Sequence, residues 1–464
     1  MVKGRRPYKK DDFTGELGLS EKLPGYKGDA LKLLNGLEVG DLLRIEKNGE
    51  VYEGILMPRS ELGDDKHVVI KIKSGYNIGI RITPETRIVK IGSMAKPTFT
   101  SPPPPEQKPG LPKVTIISTG GTIASRVDYR TGAVRPAISA SDLYSIVPEL
   151  SEIAVIDTEI LFSMFSEDLT PKHWSETART IAKHIEKEAQ GIVVTHGTDT
   201  MGYTAAALSF ALQNLPVPVV LVGAQRSEDR PSSDAAENLI GAVQCAAKAP
   251  FAEVVVAMHQ TISDEAIAIH RGTKVRKLHT SRRDAFKTVN AGLLARVLGG
   301  NIIMLTNDFH PRNPDSKLVL KPEFEEKVAL IKFYPGMNPE IIDWHVEEGY
   351  KGIILEGTGL GHIRRECFSS IRNAIESGVI VAMASQCIWG RVNMNVYSNG
   401  RDLLSIGVIP LGDMLAETAL VKLMWVLGQT KDLEEAKSLM RRNIAHEFSS
   451  RTVEPVEPPE TISL

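Results

Sequence analysis

The fold class of this chain follows from the stretch Ile192-Val193-Val194-Thr195-His196-Gly197-Thr198-Asp199-Thr200-Met201. A short run of β-branched and apolar residues ends in a group of polar side chains, and a helical pattern follows over about residues 200–213. A strand that leads directly into a helix is typical of a parallel sheet with crossover helices. Polar groups at the end of such a strand lie where open α/β sheets bind their ligands.

The same alternation of short Val/Ile runs and helical patterns extends to both sides of this stretch and predicts an α/β core in two parts, residues 113–315 and 316–440, followed by a tail over 441–464. Parallel strands are predicted at 114–118, 192–195, 217–222, 254–258, 302–305, 328–333, 352–355 and 379–382. Helices are predicted at 171–189, 200–213, 234–248, 364–377, 413–427 and 432–445.

A second polar segment follows the first predicted strand of the core. It reads Val114-Thr115-Ile116-Ile117-Ser118-Thr119-Gly120-Gly121-Thr122-Ile123-Ala124-Ser125. The two glycines allow backbone amides to approach a ligand closely. The segment lacks the Gly-Lys-Ser/Thr ending of a phosphate-binding loop and is not a dinucleotide fingerprint. Taken alone, either segment is also explained by a tight turn and helix capping, since Thr and Asp are favoured caps.

The residues before the core form a different kind of structure. Residues 97–112 contain seven prolines and predict an extended, semi-rigid linker. Before it, residues 43–56 alternate apolar and polar around Asn48-Gly49, a strong hairpin signal, and the pattern repeats around Ser74-Gly75. We therefore predict an N-terminal tail and a small all-β barrel within residues 1–96. We expect this barrel to dock on protein, because its strands lack clustered aromatic residues that stack on bases.

Composition excludes several classes of protein. The 55 Lys and Arg residues nearly balance the 57 Asp and Glu residues, so the chain lacks the overall basic field of a dedicated nucleic-acid binder. The three cysteines, Cys245, Cys367 and Cys387, are far apart, which disfavours a zinc site or a disulfide framework and favours a reducing cytoplasm. No apolar run is typical of a signal peptide or a membrane span.

The two polar segments contain Thr119-Gly120-Gly121-Thr122-Ile123-Ala124 and Thr195-His196-Gly197-Thr198-Asp199-Thr200. Both resemble the signature loops of the L-asparaginase/glutaminase family, and the resemblance extends from about residue 112 to about residue 433. It implies an asparaginase-like core of two domains with parallel sheets. With a β domain added in front, the chain is similar to the branch of this family that hydrolyses glutamine for archaeal-type tRNA-dependent amidotransferases.

The resemblance implies a catalytic set of Thr122, Thr198, Asp199 and Lys277. Thr122 would attack the side-chain amide and form an acyl-enzyme that water hydrolyses, although both signature threonines are open to that role. Lys277 is found by counting back from the family's stretch at residues 286–290, and Lys274 is its nearest competitor. Without the resemblance, the basic run at 271–283 indicates a solvated or phosphate-contacting face.

Substrate contacts are implied for three further residues. Tyr129 matches the tyrosine of the family's mobile loop, although the loop here is shorter than in secreted asparaginases. Ser166 matches the residue that binds the substrate's α-carboxylate, and Glu167 stands where a glutamine is common. No metal is expected in the site.

Elementary chemistry supports the same roles. A threonine hydroxyl is a weak nucleophile and needs a base within hydrogen-bond reach. A lysine amine accepts a proton only when it is uncharged, so we expect Lys277 among polar, uncharged neighbours. Thr198 would relay the proton, while Asp199 would be free to pair with the substrate's ammonium group. Backbone amides around Gly121, Thr122 and Thr198 are candidate donors to the oxyanion.

The resemblance also implies partners. A glutaminase subunit would pass ammonia to a synthetase-like partner of the E type that uses ATP and magnesium and carries most of the contact with tRNA(Gln); this chain would bind no cofactor. We expect a homodimer core within a heterotetramer, in the cytoplasm and away from membranes. The family's acidic residue that crosses the subunit interface has no clear match at 391–402, so the oligomeric state stays open.

Two other hypotheses compete with a glutaminase subunit. One is a free-standing cytoplasmic L-asparaginase with a passive N-terminal domain. The other is a docking subunit that keeps the fold and has lost the chemistry. The intact signature loops disfavour the docking subunit, and the added N-terminal domain favours a subunit that must dock over a free enzyme.

Overall fold

The structure of this chain is a computed structural model that describes residues 23–59, 64–72, 77–93, 110–121, 123, 125–127, 134–136, 147–226 and 233–451. They belong to two compact units, of which the smaller includes residues 23–93 and the larger contains the α/β core. None of the helices in this described part is long and apolar enough to cross a membrane.

The N-terminal unit is an antiparallel sheet with a short helix. Its elements are α1 (Gly28–Leu33), β1 (Asp41–Lys47), β2 (Glu50–Leu56), β3 (His67–Lys71), β4 (Asn77–Arg81) and β5 (Arg87–Ser93), with the strand order β4-β3-β2-β1-β5. Asn48 and Gly49 both have positive φ, 50° and 82°, as a two-residue hairpin turn requires. The predicted small β domain is confirmed. The Ser74-Gly75 turn and most of the proline-rich linker lie outside the described residues.

Next along the chain are β6 (Lys113–Gly120) and two short strands, β7 (Ser125–Val127) and β8 (Val134–Pro136). Strands β7 and β8 form a two-stranded sheet of their own, and most of their residues belong to the smaller unit. The larger unit contains two main sheets. Its strands are β6 and β9 (Val155–Met164), β10 (Gly191–Thr195), β11 (Leu212–Gln213), β12 (Val219–Val222), β13 (Val254–His259), β14 (Ala266–Arg271), β15 (Val275–Lys277), β16 (Phe286–Thr288), β17 (Ala295–Leu298), β18 (Asn301–Met304), β19 (Val319–Leu320), β20 (Val328–Lys332), β21 (Gly352–Gly357), β22 (Ile380–Ser385) and β23 (Ile409–Pro410). Its helices are α2 (Pro171–Glu186), α3 (Met201–Ala211), α4 (Ala235–Lys248), α5 (Glu340–Glu347), α6 (Phe368–Glu376), α7 (Ser398–Ile406), α8 (Ala416–Gln429) and α9 (Leu433–Arg441).

The first sheet has eight strands in the order β18-β17-β14-β13-β12-β10-β6-β9. The five strands from β9 to β13 are parallel, which confirms the predicted α/β class. Alternate residues of β10 enter different cores: Val193 packs on the side of α4, whereas Ile192 and Val194 pack on the side of α2 and α3. A strand buried on both faces reads as an unbroken apolar run, which is why β10 was visible in the sequence.

The antiparallel strands β14, β17 and β18, at one side of this sheet, correct the prediction. The segment predicted as a parallel strand at 302–305 belongs to β18, which pairs antiparallel with β17. Gly299 and Gly300 join the two strands with φ of 53° and 81°. A Gly-Gly pair between two apolar runs is a hairpin signal, which the prediction of parallel strands did not take into account. At the other side, β9 was also missed, because this edge strand carries polar residues among its apolar ones.

The second sheet is fully parallel, in the order β20-β21-β22-β23. Helices α5 and α7 were not predicted. Helix α9 ends at Arg441, earlier than the predicted residue 445. Its final turn is closed by the buried Lys422 ammonium, which donates to the Met440 carbonyl at 3.2 Å. The two sheets are joined through α3 and α8, where the Phe210 and Trp425 rings stack with centroids 5.8 Å apart.

Candidate active site

The two signature loops leave adjacent strands at the same edge of the first sheet. β6 and β10 are parallel, with Ser118 opposite Thr195. The Thr119 hydroxyl donates to the Thr195 carbonyl oxygen at 2.9 Å, which ties the ends of the two strands together. Gly121 has φ of 80°, and a Cβ there would lie 2.8 Å from the His196 carbonyl carbon. Glycine is therefore required for the loops to approach each other.

Two residues of the implied site, Thr122 and Tyr129, lie outside the described residues. The structure does describe Gly121 and Ile123 on either side of Thr122, and Ile123 is buried in the core beside α4. Gly121 thus lies against the second signature loop, and Ile123 lies in the core.

Lys277 reaches the second signature loop from a separate hairpin. It is the last residue of β15 and pairs with the buried Phe286 of β16. The Lys277 ammonium nitrogen Nζ lies 2.9 Å from Thr198 Oγ1 and 2.7 Å from Asp199 Oδ1. The Lys277 side chain is only 14% exposed, whereas that of Asp199 is 69% exposed. A base candidate, a hydroxyl and an accessible carboxylate therefore meet at the carboxyl end of β10.

This geometry corrects one expectation. Asp199 is not free, because it forms an ion pair with Lys277. Lys277 consequently has a charged neighbour and does not lie among uncharged groups only. A ligand that brings its own ammonium group to Asp199 would compete with Lys277 for this carboxylate.

Lys274, the competing lysine, lies in a different environment. Its ammonium group pairs with Asp413 Oδ2 at 2.9 Å, and both side chains are 1% exposed. Burial lowers the pKa of Lys274, and the attraction of Asp413 opposes that shift. Lys274 thus joins the first domain of the core to the second, while Lys277 contacts the signature loop.

Ser166 lies against the second signature loop, at the start of a short 3-10 turn, Ser166–Asp168. It is buried, and its carbonyl oxygen accepts a hydrogen bond from the Thr200 hydroxyl at 2.7 Å. A Cβ on Gly197 would lie 2.9 Å from both Cβ and Oγ of Ser166. Glu167, next in the chain, is exposed. The implied carboxylate-binding serine and the loop are thus in direct contact.

His196 holds the second signature loop from inside the core. The Gly197 carbonyl can only accept, so Nδ1 of His196 carries the proton of their hydrogen bond at 2.6 Å. Nε2 then accepts from the Thr204 hydroxyl at 2.8 Å, and Thr204 accepts from Trp174 Nε1 at 3.1 Å. Burial lowers the pKa of His196 to about 4. A neutral histidine therefore shapes the loop.

Sequence reasoning missed how the Lys277 hairpin is supported, by Asn290 of the first domain together with Gly390 and Asp413 of the second. Asn290 has φ of 57°; its side-chain amide donates to the Asp413 carbonyl at 3.0 Å, and its side-chain oxygen accepts from the Gly390 amide at 2.9 Å. Asparagine tolerates this left-handed backbone better than most residues, which is the one local signal available. Asp413, far away in the chain, gave no such signal.

Fold and site together define an asparaginase-type α/β protein. The chain matches the family "Asparaginase, N-terminal" over residues 113–309 and "Glutaminase/Asparaginase C-terminal domain" over residues 327–440. It also matches "GatD N-terminal domain" over residues 37–91, which covers the small β domain.

Similar solved structures include the thermostable L-asparaginase from Thermococcus kodakarensis, at 35% identity and a TM-score of 0.65, with 73% of this chain and 100% of that chain covered. L-asparaginase I from Vibrio cholerae is 32% identical at a TM-score of 0.64, with coverage of 73% and 99%.

Relatives of nearly full length are more similar in sequence. The D subunit of the glutamyl-tRNA(Gln) amidotransferase of Pyrococcus abyssi is 54% identical over 422 residues, which cover 90% of this chain and 96% of the relative. The corresponding protein of Thermofilum pendens is 49% identical over 443 residues, with coverage of 92% and 97%. This chain belongs to the family of glutamyl-tRNA(Gln) amidotransferase D subunits.

Proposed function

We propose that this chain hydrolyses glutamine as the ammonia-supplying subunit of a glutamyl-tRNA(Gln) amidotransferase. The observation that carries the proposal is similarity to D subunits along more than 90% of their length. The match of the β domain to the GatD N-terminal domain supports it, because a free asparaginase has no need of that domain.

The chemistry we propose uses Thr122 as the nucleophile. Its oxygen forms a bond with the side-chain carbonyl carbon of glutamine, the carbon-nitrogen bond breaks, and ammonia leaves. Water then cleaves the ester and releases glutamate. The contact of Lys277 Nζ with Thr198 Oγ1 at 2.9 Å supports a proton relay that operates when Lys277 is uncharged. The hydroxyl proton of Thr122 would pass through Thr198 to Lys277 and then to the departing amide nitrogen, which leaves as ammonia. Backbone amides at Gly121, Thr122 and Thr198 would stabilise the oxyanion.

Substrate recognition would surround this relay. Asp199 would bind the α-ammonium of glutamine, replacing its present ion pair with Lys277 and leaving Lys277 Nζ to Thr198. Ser166 would bind the α-carboxylate, with Glu167 and Tyr129 as further contacts. Ser166 is buried against the loop, whereas Asp199 is exposed. These positions support the assignment of the α-carboxylate to Ser166 and of the α-ammonium to Asp199.

The proposed assembly contains a synthetase-like partner of the E type. That partner would use ATP and magnesium to activate misacylated Glu-tRNA(Gln), would carry most of the tRNA contact, and would receive the ammonia. Two copies of this chain would form the core of a cytoplasmic heterotetramer. This subunit would bind neither a metal nor another cofactor.

The decisive experiment measures ammonia release from glutamine and from asparagine, by the chain alone and by the chain with its partner and Glu-tRNA(Gln). We expect slow glutamine turnover by the chain alone and a rise in kcat with partner and tRNA. Thr122→Ala should abolish release while the thermal unfolding midpoint is kept. Fast asparagine turnover without a partner would instead support a free-standing L-asparaginase, the alternative that the asparaginase structures favour.

A further inference from the structure

The C-terminal strap, defined as residues 442–450, is the irregular segment after α9. Its middle is fixed by a fully buried ion pair between Glu447 and Lys422, both 0% exposed. Lys422 donates in addition to the Met440 and Arg442 carbonyls, at 3.2 and 2.6 Å, so its three N–H groups are all used. Glu447 also accepts from the backbone amides of Ile444 and Ala445, at 3.1 and 2.7 Å. This turn is therefore fixed from within.

The end of the strap reaches the base of the Lys277 hairpin. The Ser449 amide donates to Asp413 Oδ1 at 2.9 Å, while Lys274 occupies Asp413 Oδ2. The Ser449 hydroxyl donates to the Asn290 carbonyl at 3.1 Å. Arg391 holds this end by donating to the Ser449 carbonyl at 2.7 Å. Ser449 is thus linked to the base of both hairpin strands. It binds Asp413, the partner of Lys274, which directly precedes β15, and it binds Asn290, which follows β16.

A second contact joins the strap to the approach of the same hairpin. The Thr273 hydroxyl donates to the Ala445 carbonyl at 2.8 Å. The base of the hairpin is closed by the Val289 amide, which donates to the Lys274 carbonyl at 2.8 Å. Lys277 lies three residues beyond Lys274 on a strand held at its base. A displacement of that base therefore moves Lys277 Nζ relative to Thr198 Oγ1.

We propose that Ser449 and the strap position Lys277 for the reaction, as a tether from the C-terminal helices to the catalytic hairpin. This inference rests on the proposed function. Within the described part of the chain, the strap makes no hydrogen bond to Thr198, Asp199 or Ser166, so its loss should disturb proton transfer more than substrate binding. The distinguishing sign is a fall in kcat with KM little changed.

Two truncations of the full chain, each assembled with its partner subunit and tRNA, test the proposal. Deletion of residues 449–464 removes the Ser449 contacts and keeps Glu447, whereas deletion of residues 452–464 keeps both. We expect the longer deletion to lower kcat for glutamine about tenfold with KM within about twofold, and the shorter one to match the full chain. Equal kcat in the two truncations would overturn the proposal.

A single substitution and its conservative partner give a second test. Ser449→Ala removes the hydrogen bond to Asn290 and should lower kcat about threefold, while Ser449→Thr should restore it. Amide hydrogen exchange, followed without any assay of activity, should be faster in residues 274–290 of Ser449→Ala and unchanged in α2. Unchanged exchange in the hairpin would refute the tether. If the full chain, assembled with its partner subunit, hydrolysed neither glutamine nor asparagine, the proposed function would be refuted. The hydrogen-exchange result would still show whether the strap holds the hairpin in place.

Discussion

At the scale of single residues, the candidate base of the site is identified by which lysine contacts the Thr198 hydroxyl. Lys277 and Lys274 are three positions apart in one basic run, yet their ammonium groups differ in burial and in partners. Lys277 contacts Thr198 and a mostly exposed carboxylate, whereas Lys274 is buried with Asp413. Because β15 begins between them, one chain segment supplies both a candidate base and a structural ion pair.

Lys277→Met should lower kcat for glutamine hydrolysis about a thousandfold, in the range known for loss of a general base. Lys274→Met should act differently: it leaves the buried Asp413 with only its longer ion pair to Arg391, at 3.8 Å, so we expect the free energy of unfolding to fall by about 3 kcal/mol. The folded fraction should keep kcat within about tenfold of the parent. Steady-state kinetics and urea unfolding of the two variants measure both effects, and the reverse order of activities would contradict the assignment of Lys277.

His196 predicts a pH dependence of stability. Burial lowers its pKa to about 4, whereas an unfolded histidine titrates near 6.5. Between these pH values the unfolded chain binds a proton that the folded chain does not. The contribution of His196 to the free energy of unfolding is therefore complete above pH 6.5 and declines as the pH falls toward 4. By pH 5 the loss should be about 2 kcal/mol.

Thermal unfolding midpoints at pH 7 and pH 5 test this prediction. The decrease between the two pH values should be smaller for His196→Gln than for the parent. Burial also lowers the pKa of His270, to about 3. The effect of His270 on stability is present in both proteins and therefore cancels in the comparison. Equal decreases in parent and variant would show that His196 does not contribute.

At the scale of elements, the two signature loops depend on glycines that allow close packing between parts far apart in the chain. Gly121 approaches His196, and Gly197 approaches Ser166. The strands β6 and β10 place the loops side by side, and the glycines remove the side chains that would otherwise separate them. The loops therefore work as one packed unit.

Gly197→Ala tests this packing. The new Cβ would lie 2.9 Å from Ser166 Cβ and Oγ, so Ser166 must move away from its place beside the loop. We expect kcat/KM for glutamine to fall about tenfold or more, mainly through KM. Gly292→Ala is the matched control, because no atom of the described residues lies within 4 Å of its Cβ, and it should match the parent. A normal KM in Gly197→Ala would argue against substrate binding at Ser166.

At the scale of the larger unit, stability depends on charges buried between helices and the C-terminal segment. Lys422 of α8 and Glu447 form an ion pair with no exposure of either side chain. Burial lowers the pKa of Lys422, and Glu447 acts in the opposite direction. Such a pair contributes little over an apolar pair, but removal of one partner leaves a charge without compensation.

Glu447→Gln should therefore lower the free energy of unfolding of the larger unit by about 3 to 5 kcal/mol. Glu434→Gln is the matched control: Glu434 pairs with Lys437 on the surface of α9, is 82% exposed, and should change stability by less than about 1 kcal/mol. Urea unfolding of both variants gives the comparison. A loss in Glu447→Gln as small as in the control would mean that the buried ammonium finds another anion or water.

How much the sequence predicts depends on whether a signal is local. Buried parallel strands such as β10 were predicted because both faces are apolar, and the Asn48-Gly49 turn because two positive φ angles favour those residues. Edge strand β9 was missed because polar residues interrupt its apolar pattern. The antiparallel β14 was missed although most of its residues are apolar. Lys277 was found through a motif, since its chemistry is not visible from a basic run alone.

The sequence by itself determined the α/β core, the small β domain and the loops that carry reactive side chains, because each is encoded in neighbouring residues. Only the tertiary structure decided that Asp199 pairs with Lys277, that Lys274 is buried with Asp413, and that Ser449 contacts Asp413 and Asn290. These contacts join residues far apart in the chain. Their energies depend on distance and burial, which no local pattern of side chains specifies.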